Sequence, residues 1–265
     1  MPFDGPLHVM PDTPDFLTRL AQNEADLRAA QTLRYQVFVK ELGADGPLVD
    51  HAEGLEKDAF DPFYDHLLLI DRAGDVERVV GVYRLLRSDQ AARAGRFYSE
   101  GEFDLSPLKQ SGRRLLELGR SCLHPDYRGG TAMLHLWAAL ADYIADHQID
   151  VLFGVASFHG TDAQALAHPL SNLHHTHLAP SDLRTRVLPG AHAQPLALLA
   201  REDVDRKRAM LETPQLIKAY LRLGGYVGDG AFIDRDFNTT DVCLILDAAK
   251  VNDKQAALFA RGRGT

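Results

Sequence analysis

The feature that most constrains the fold is the order in which hydrophobic periods succeed one another between Asn23 and Ser157. NEADLRAAQTLRYQVFVKELG carries Leu27, Ala30, Val37 and Leu42 at helical spacing, with Asn23 as N-cap and Gly43 as stop, which predicts a helix over about 23–42. ADGPLVDHAEGLEKDAFDPFYD is acidic and broken by Gly and Pro, so it should be an irregular loop, and its length suits a binding role. DHLLLID, a short AGD turn and VERVVGVYRLL read as a β-hairpin; FYSEGEFDL and LLELGRSCL read as two further strands. TAMLHLWAALADYIADH has Leu134, Trp137, Leu140 and Ile144 at helical spacing, and VLFGVAS after it reads as a buried strand. Helix, antiparallel strands, helix, strand is α+β order, with a central mixed, mostly antiparallel sheet flanked by helices.

Beyond His159 a helix is expected through the His-containing segment, then a break at Pro189 and Gly190. Thr213 followed by Pro214 reads as an N-cap hydroxyl with Pro in the first turn of the helix QLIKAYLRLGG. YVGDGAFID and DVCLILD close the chain as a strand pair. The expected division is a lead-in over 1–22, a catalytic core over 23–158, a helical and strand extension over 159–248 that completes the same domain, and a polar tail over 249–265.

Composition narrows the function classes. A chain of 265 residues with 45% hydrophobic and 25% charged side chains has enough apolar mass for one large core. Its net charge of −8 gives no general cationic field to attract nucleic acid or an anionic membrane. Cys122 and Cys243 both lie in apolar strand-like runs, where a free thiol behaves as a small core residue, so a reducing cytoplasmic compartment is expected. MPFDGPLHVMPDTPDF has neither a cationic nor a continuous apolar leader region, and no stretch reaches the roughly 18–20 apolar residues of a membrane span. The expectation is a protein in the cytoplasm, with any membrane contact peripheral and at the inner face.

Four charged groups of residues sit at the edges of these elements: Arg34 with Phe38, Asp58 with Asp61, Arg84, and Glu117 with Arg120. In order and spacing RYQVF, EKDAFD, GVYRLL and LELGR resemble the signature blocks of the acyl-homoserine-lactone synthases. The wider chain is more similar to a sister group, the ornithine N-acyltransferases that make lyso-ornithine lipid. FYSEGEFDL, LELGRSCLHPDYRGG, ASFHGTD, LHHTHLAP and IKAYLRLGGYVGDGAFIDRDFNTTDVCLIL carry that resemblance, so it runs from about Leu33 to Leu246. It implies a GNAT-like fold and transfer of a 3-hydroxyacyl group from acyl carrier protein to the α-amine of ornithine, with no cofactor beyond the carrier's 4′-phosphopantetheine arm. It also implies that Arg34, Phe38, Asp58, Asp61, Arg84, Glu117 and Arg120 surround the place where thioester and amine meet.

Acyl transfer to an amine requires a neutral nucleophile, so a base must take a proton from the ammonium. Glu117 is the candidate base, because a carboxylate among Leu115, Leu116 and Leu118 should have a raised pKa from desolvation. Position alone supports equally an ordinary buried ion pair of Glu117 with Arg120. Regular alternation puts the two on opposite faces, and Gly119 between them suggests a bulge that changes the register and frees N–H groups for the thioester carbonyl. Asp58 and Asp61 would hold the loop shut through Arg34 or Arg84, or attract ornithine's side-chain ammonium. Neither Ser121 nor Cys122 has an evident partner base, so direct transfer is expected.

HPDYRGGTAMLHLW resembles a compressed form of the GNAT phosphopantetheine loop, which assigns Arg128, Gly129, Gly130 and Thr131, with Ser157 from ASFHGTD, to the acyl-phosphopantetheine arm. The shortened loop favours a carrier arm with one phosphate over CoA. A cationic patch for the acidic carrier is sought at Arg113 and Arg114, Arg128, and Arg206 to Arg208. No metal is expected: His168, His174, His175 and His177 lack a recognised ligand spacing, and Asp229, Asp234, Asp236 and Asp241 do not fit a calcium loop. The competing readings are a lactone synthase or N-acyl amino-acid synthase of other specificity, and a non-catalytic lipid-binding or membrane-lytic protein. The last is disfavoured because the amphipathic segment 131–147 has no cationic face.

Overall fold

The computed structural model of the chain describes residues 13–251. Strand β1 (Phe16–Leu20) leads into helix α1 (Glu24–Arg34), capped by the Asn23 side chain, which accepts from the Asp26 N–H. The helix widens without a break into a π-helical run, Tyr35–Glu41, so the expected helix is one element of two pitches. After the irregular loop come β2 (Asp65–Asp71), β3 (Arg78–Arg87) and α2 (Ser88–Ala94). Next are β4 (Phe103–Asp104), α3 (Ser106–Gln110), β5 (Leu115–Leu123), α4 (Ala132–Asp146) and β6 (Val151–His159). The C-terminal part holds α5 (Ala167–His177), β7 (Arg186–Val187), β8 (Ala193–Gln194), α6 (Arg206–Glu212) and α7 (Gln215–Arg222). It closes with β9 (Tyr226–Val227), β10 (Ala231–Asp234) and β11 (Thr239–Asp247).

The main sheet runs β1-β2-β3-β5-β6-β11-β10-β8, with β9 pairing to β11. All its pairings are antiparallel except β5 with β6, which are joined through the crossover helix α4. The strands from β8 to β11 therefore share one sheet with β1, β2, β3, β5 and β6, while β4 pairs with β7 in a separate two-stranded sheet. One apolar face packs on α4 through Leu136 and Leu140, and on α7 through Ile217 and Tyr220. The opposite face packs on α1 near β2 and β3, and further along on the segment around Phe97, Phe103 and Leu108.

Three expectations are corrected. The lead-in over 1–22 includes a strand the sequence reading did not assign: β1 pairs with β2 from Phe16↔Asp71 to Leu20↔Leu67. FYSEGEFDL is not a strand over its length but a 3₁₀ turn at Tyr98–Gly101 followed by the two residues of β4. Thr213 does not start α7; its hydroxyl donates to the Ala209 carbonyl at 2.7 Å and finishes α6, while Pro214 starts α7.

The parallel pairing of β5 and β6 is short. It runs from Leu115↔Val151 to Glu117↔Phe153 and then stops. Gly154 lies at that point, where a Cβ would stand 2.2 Å from the Leu118 carbonyl oxygen. Only glycine lets the backbones approach so closely before they part. The cleft that opens beyond is where the candidate site lies.

Candidate active site

The cleft holds a cavity of about 260 Å³. One end is apolar, with Leu152, Leu244, Leu246, Leu216 and Tyr220 in its lining; the other is polar, with Tyr98, Arg120, Ser157, Asp234 and Asp241. A second, apolar cavity of about 190 Å³ shares Leu152, Tyr220 and Leu246 with the first and continues along Leu140 and Ile144.

Opposite β3, strand β5 is bulged. Val82 faces Cys122 and Arg84 faces Gly119, so three steps on β5 match two on β3. The expected bulge is present, but its left-handed residue is Arg120, at φ 49°, rather than Gly119. The distortion separates Glu117 from Arg120, and the two make no ion pair. Each has its own partners.

Glu117 is 1% exposed and accepts four hydrogen bonds. The Tyr64 hydroxyl (2.9 Å) and the Tyr98 N–H (2.8 Å) donate to Oε2; the Ser99 N–H (2.7 Å) and hydroxyl (2.5 Å) donate to Oε1. Burial pushes its pKa up against these bonds. Two oxygens offer about four lone-pair sites, and all are taken. The carboxylate therefore clamps the turn Tyr98–Gly101 and has no free lone pair for a substrate proton, which counts against the expected role as base.

Arg120 belongs to a different group. Its Nε donates to Glu56 at 3.1 Å and its Nη2 lies 3.4 Å from Asp58. Arg84 Nη1 reaches Asp58 and Asp61, both at 2.7 Å. Arg34 bonds Asp61 at 2.6 Å and also pairs with Glu56. Three guanidiniums thus meet three carboxylates in a charge-balanced network that reaches the cavity wall through Arg84 and Arg120. Burial tends to raise Asp61, but Arg34 and Arg84 outweigh it and hold its carboxyl well below the usual range; Glu56 and Asp58 are depressed in the same way. Ionised at neutral pH, the network holds the acidic loop on the sheet, as the sequence suggested for Asp58 and Asp61.

Of the residues expected to bind substrate, Phe38, Arg84, Arg120 and Ser157 line the cavity. Arg34, Asp58 and Asp61 do not; they stand behind the wall, and both aspartates are engaged by guanidiniums, which counts against their meeting ornithine's ammonium. Tyr98 rings the polar end, with the Arg120 guanidinium 5.2 Å from its centroid; Phe237 meets the same guanidinium at 4.5 Å. Arg128 is committed to Glu41 through two bonds of 2.6 and 2.7 Å and donates to the Leu123 carbonyl. Gly129 turns the chain at φ 79°, and Thr131 makes no side-chain cap, so the first-turn N–H groups of α4 have no side-chain acceptor.

The cationic candidates are largely paired. Arg113 holds Asp247 at 2.5 Å, Arg114 lies 3.6 Å from Asp150, and Arg208 pairs with Glu212 at 2.6 Å. Arg206 and Lys207 remain exposed on α6 beside Met210 and Leu211. Of the histidines, His175 bonds the Leu199 carbonyl at 2.9 Å, and His168 accepts from the Asp205 N–H at 3.2 Å. No helix among the described residues is long and apolar enough to cross a membrane.

Sequence reasoning missed Glu56, Tyr64, Tyr98, Ser99 and Glu102, and set aside Asp234 and Asp241. Glu56 lies inside the EKDAFD block that carried the resemblance. Glu102 was hidden because FYSEGEFDL reads as a strand.

Residues 33–138 match the acetyltransferase (GNAT) domain family. The chain is 59% identical over 252 residues to the L-ornithine N(alpha)-acyltransferase of Rhodobacter capsulatus, covering 93% of this chain and 96% of that protein. It is 43% identical over 246 residues to the L-ornithine N(alpha)-acyltransferase of Brucella abortus, covering 91% and 87%. Among solved structures, the AHL synthase LasI aligns over 94% of this chain and 97% of that one, with TM-score 0.46 and 15% identity.

Proposed function

From the premise that the chain belongs to the L-ornithine N(alpha)-acyltransferase family, and is thus an acyltransferase of GNAT fold, we propose that it moves a 3-hydroxyacyl group from acyl carrier protein to the α-amine of ornithine. The product would be lyso-ornithine lipid. The observation that carries this reading is the cavity at the parting of β5 and β6, apolar at one end and polar at the other, with the β5 bulge between them.

The acyl chain would lie along Leu152, Leu246 and Tyr220 toward the second cavity. The phosphopantetheine arm would enter between β5 and β6, with its single phosphate at the uncapped first turn of α4, which Gly129, Gly130 and Thr131 lead into. Because Arg128 is already held by Glu41, this cradle offers backbone N–H groups rather than a free guanidinium. That supports a carrier arm over CoA, which brings a diphosphate and a further phosphate. Arg206 and Lys207 on α6 are the exposed cations assigned to the acidic carrier; with Met210 and Leu211 they also suit a shallow peripheral contact at the inner membrane face.

In the reaction the α-ammonium first loses one proton. The amine nitrogen then bonds to the thioester carbonyl carbon, the C–S bond breaks, and the carrier thiolate takes up a proton. The net products are an amide, a free carrier thiol and one proton released to solvent. Glu117 acts as a positioning residue that fixes Tyr98 and Ser99, and Arg120 holds the bulge against the Glu56 and Asp58 carboxylates. The side chains need form no covalent intermediate: Cys122 is buried, and burial pushes its thiol up to about 12.

Purified protein with 3-hydroxyacyl carrier protein, the matching acyl-CoA and a panel of amino acids tests the reading by mass spectrometry and thiol release. The expected result is N-acylornithine from the carrier donor. Faster transfer from acyl-CoA would overturn the donor, and preference for another amine would overturn the acceptor.

A further inference from the structure

Three carboxylates that the acyl-transfer geometry above does not use stand together at the polar end of the cavity. Asp241 on β11 faces Phe232 on β10, which makes Asp234, two residues on, its diagonal neighbour on the same sheet face. Glu102 arrives from the other side, at the end of the turn that Glu117 clamps; its own N–H bonds the Ser99 carbonyl at 3.1 Å. One oxygen from each of the three lies within 4.8 Å of the other two. All three residues line the cavity.

Glu102 is 7% exposed and Asp241 3%, yet Glu102 Oε2 and Asp241 Oδ1 have no hydrogen-bond partner. Among the described residues no Lys or Arg makes an ion pair with any of the three. The Arg120 guanidinium, which acts on Glu102 and Asp241 from a distance, is committed to Glu56 and Asp58. The Ser157 and Thr239 hydroxyls beside Asp241 are neutral. Like charges this close in a poorly hydrated place repel strongly, and the group is at ease only when protonated or when a cation sits among its oxygens. Burial first, and then Asp241 and Asp234, push the Glu102 carboxyl well above its ordinary range; burial likewise drives Asp241 to about 7. An ammonium donating three bonds of about 2.8 Å at tetrahedral angles spaces its acceptors roughly 4.6 Å apart, which this cluster can accommodate.

We infer that Glu102, Asp234 and Asp241 form the binding site for the cationic side chain of a diamino-acid acceptor, and that they set its preference over neutral amino acids. This rests on reading the cavity as the site of amine acylation. The cluster holds the second ammonium, so the α-amine is left to turn toward the thioester, and proton release accompanies binding as the carboxylates ionise around the incoming cation.

The test compares ornithine with norvaline, which has the same carbon skeleton without the terminal ammonium, in the wild type, Asp241→Asn and Glu102→Gln. Losing one charged hydrogen-bond partner should raise the KM for ornithine by about 10- to 100-fold. The ratio of kcat/KM for ornithine over norvaline should fall at least about tenfold in each variant. Calorimetry without donor should show ornithine binding with proton release in the wild type and weakened binding in both variants, whose melting curves report that they are folded. Variants that keep the wild-type ratio and binding overturn the inference alone. Binding of Mg²⁺ or Ca²⁺ by the wild type, with transfer abolished by a chelator, overturns it in favour of a metal site. A wild type that acylates neither amino acid removes the acylation reading and this inference with it.

Discussion

Replacing Glu117 with glutamine separates a base from a clamp. The substitution preserves shape and removes the charge, but it converts one oxygen into an NH₂ donor. If that nitrogen takes the Oε2 position it faces the Tyr98 N–H and the Tyr64 hydroxyl; at Oε1 it faces the Ser99 N–H and hydroxyl. A hydroxyl can turn to accept, whereas a backbone N–H cannot. Either orientation therefore strands one buried backbone donor, at a cost of about 1–3 kcal/mol. For a chain of this size that corresponds to a melting temperature lower by roughly 2–12 °C.

The kinetic consequences of the two roles differ. A lost general base costs about 10²- to 10⁴-fold in turnover and removes the acid limb of the pH–rate profile. A loosened clamp lets Tyr98 and Ser99 drift, so turnover falls more modestly, the acid limb stays, and stability drops in parallel. The assay is acyl transfer across pH beside thermal melting of the same preparations. A thousandfold loss with an unshifted melting temperature and no acid limb would refute the argument from lone-pair saturation and restore Glu117 as the base.

Arg34→Met leaves Glu56 and Asp61 short of a buried cation, and urea titration should show a loss of about 3–5 kcal/mol; an unchanged midpoint would mean the network contributes nothing to stability. Because folding raises the Asp241 pKa to about 7, its contribution to stability is complete below the ordinary aspartate range and is lost as pH rises through about 7. Glu56, Asp58 and Asp61 are depressed, so theirs is present above the ordinary carboxylate range and is lost as the solution is acidified. The melting temperature of the ligand-free protein should peak in mild acid, and Asp241→Asn should flatten its neutral limb; an identical neutral limb in the variant would refute the assignment. Gly154→Ala places a methyl 2.2 Å from the Leu118 carbonyl and should cost about 1–3 kcal/mol or more while distorting the cleft, whereas wild-type melting and activity would show that the strands part freely there.

What the sequence made legible follows a physical division. Periodicity is a local signal, so α1, the β2–β3 hairpin, β5, α4, β6 and the β10–β11 pair could all be read from it. Elements defined by what they pair with could not. FLTRL at residues 16–20 is an edge strand only because β2 offers it a partner, and the two-residue strands β4, β7, β8 and β9 have no period to detect. Thr213–Pro214 fits a helix start locally, but the preceding turn of α6 supplies the Ala209 carbonyl that claims the hydroxyl.

The same division runs through the candidate site and explains its largest revision. Glu117 and Arg120 look like a pair because they are three residues apart, and a strand can keep such a pair together only if it is bulged. The bulge is present, but its left-handed residue is Arg120 itself. The guanidinium turns toward the acidic loop while Glu117 stays with the turn before β4. Sequence proximity therefore marked two residues that matter and joined them wrongly. The Glu102, Asp234 and Asp241 cluster is the converse case. Its members lie up to 139 positions apart and fit no ligand spacing, so only the sheet register of β10 against β11 and the clamped turn bring them within one cation's reach. Glu117 thus governs where Glu102 stands, and loosening that clamp should weaken recognition of the acceptor's charge as well as the turn.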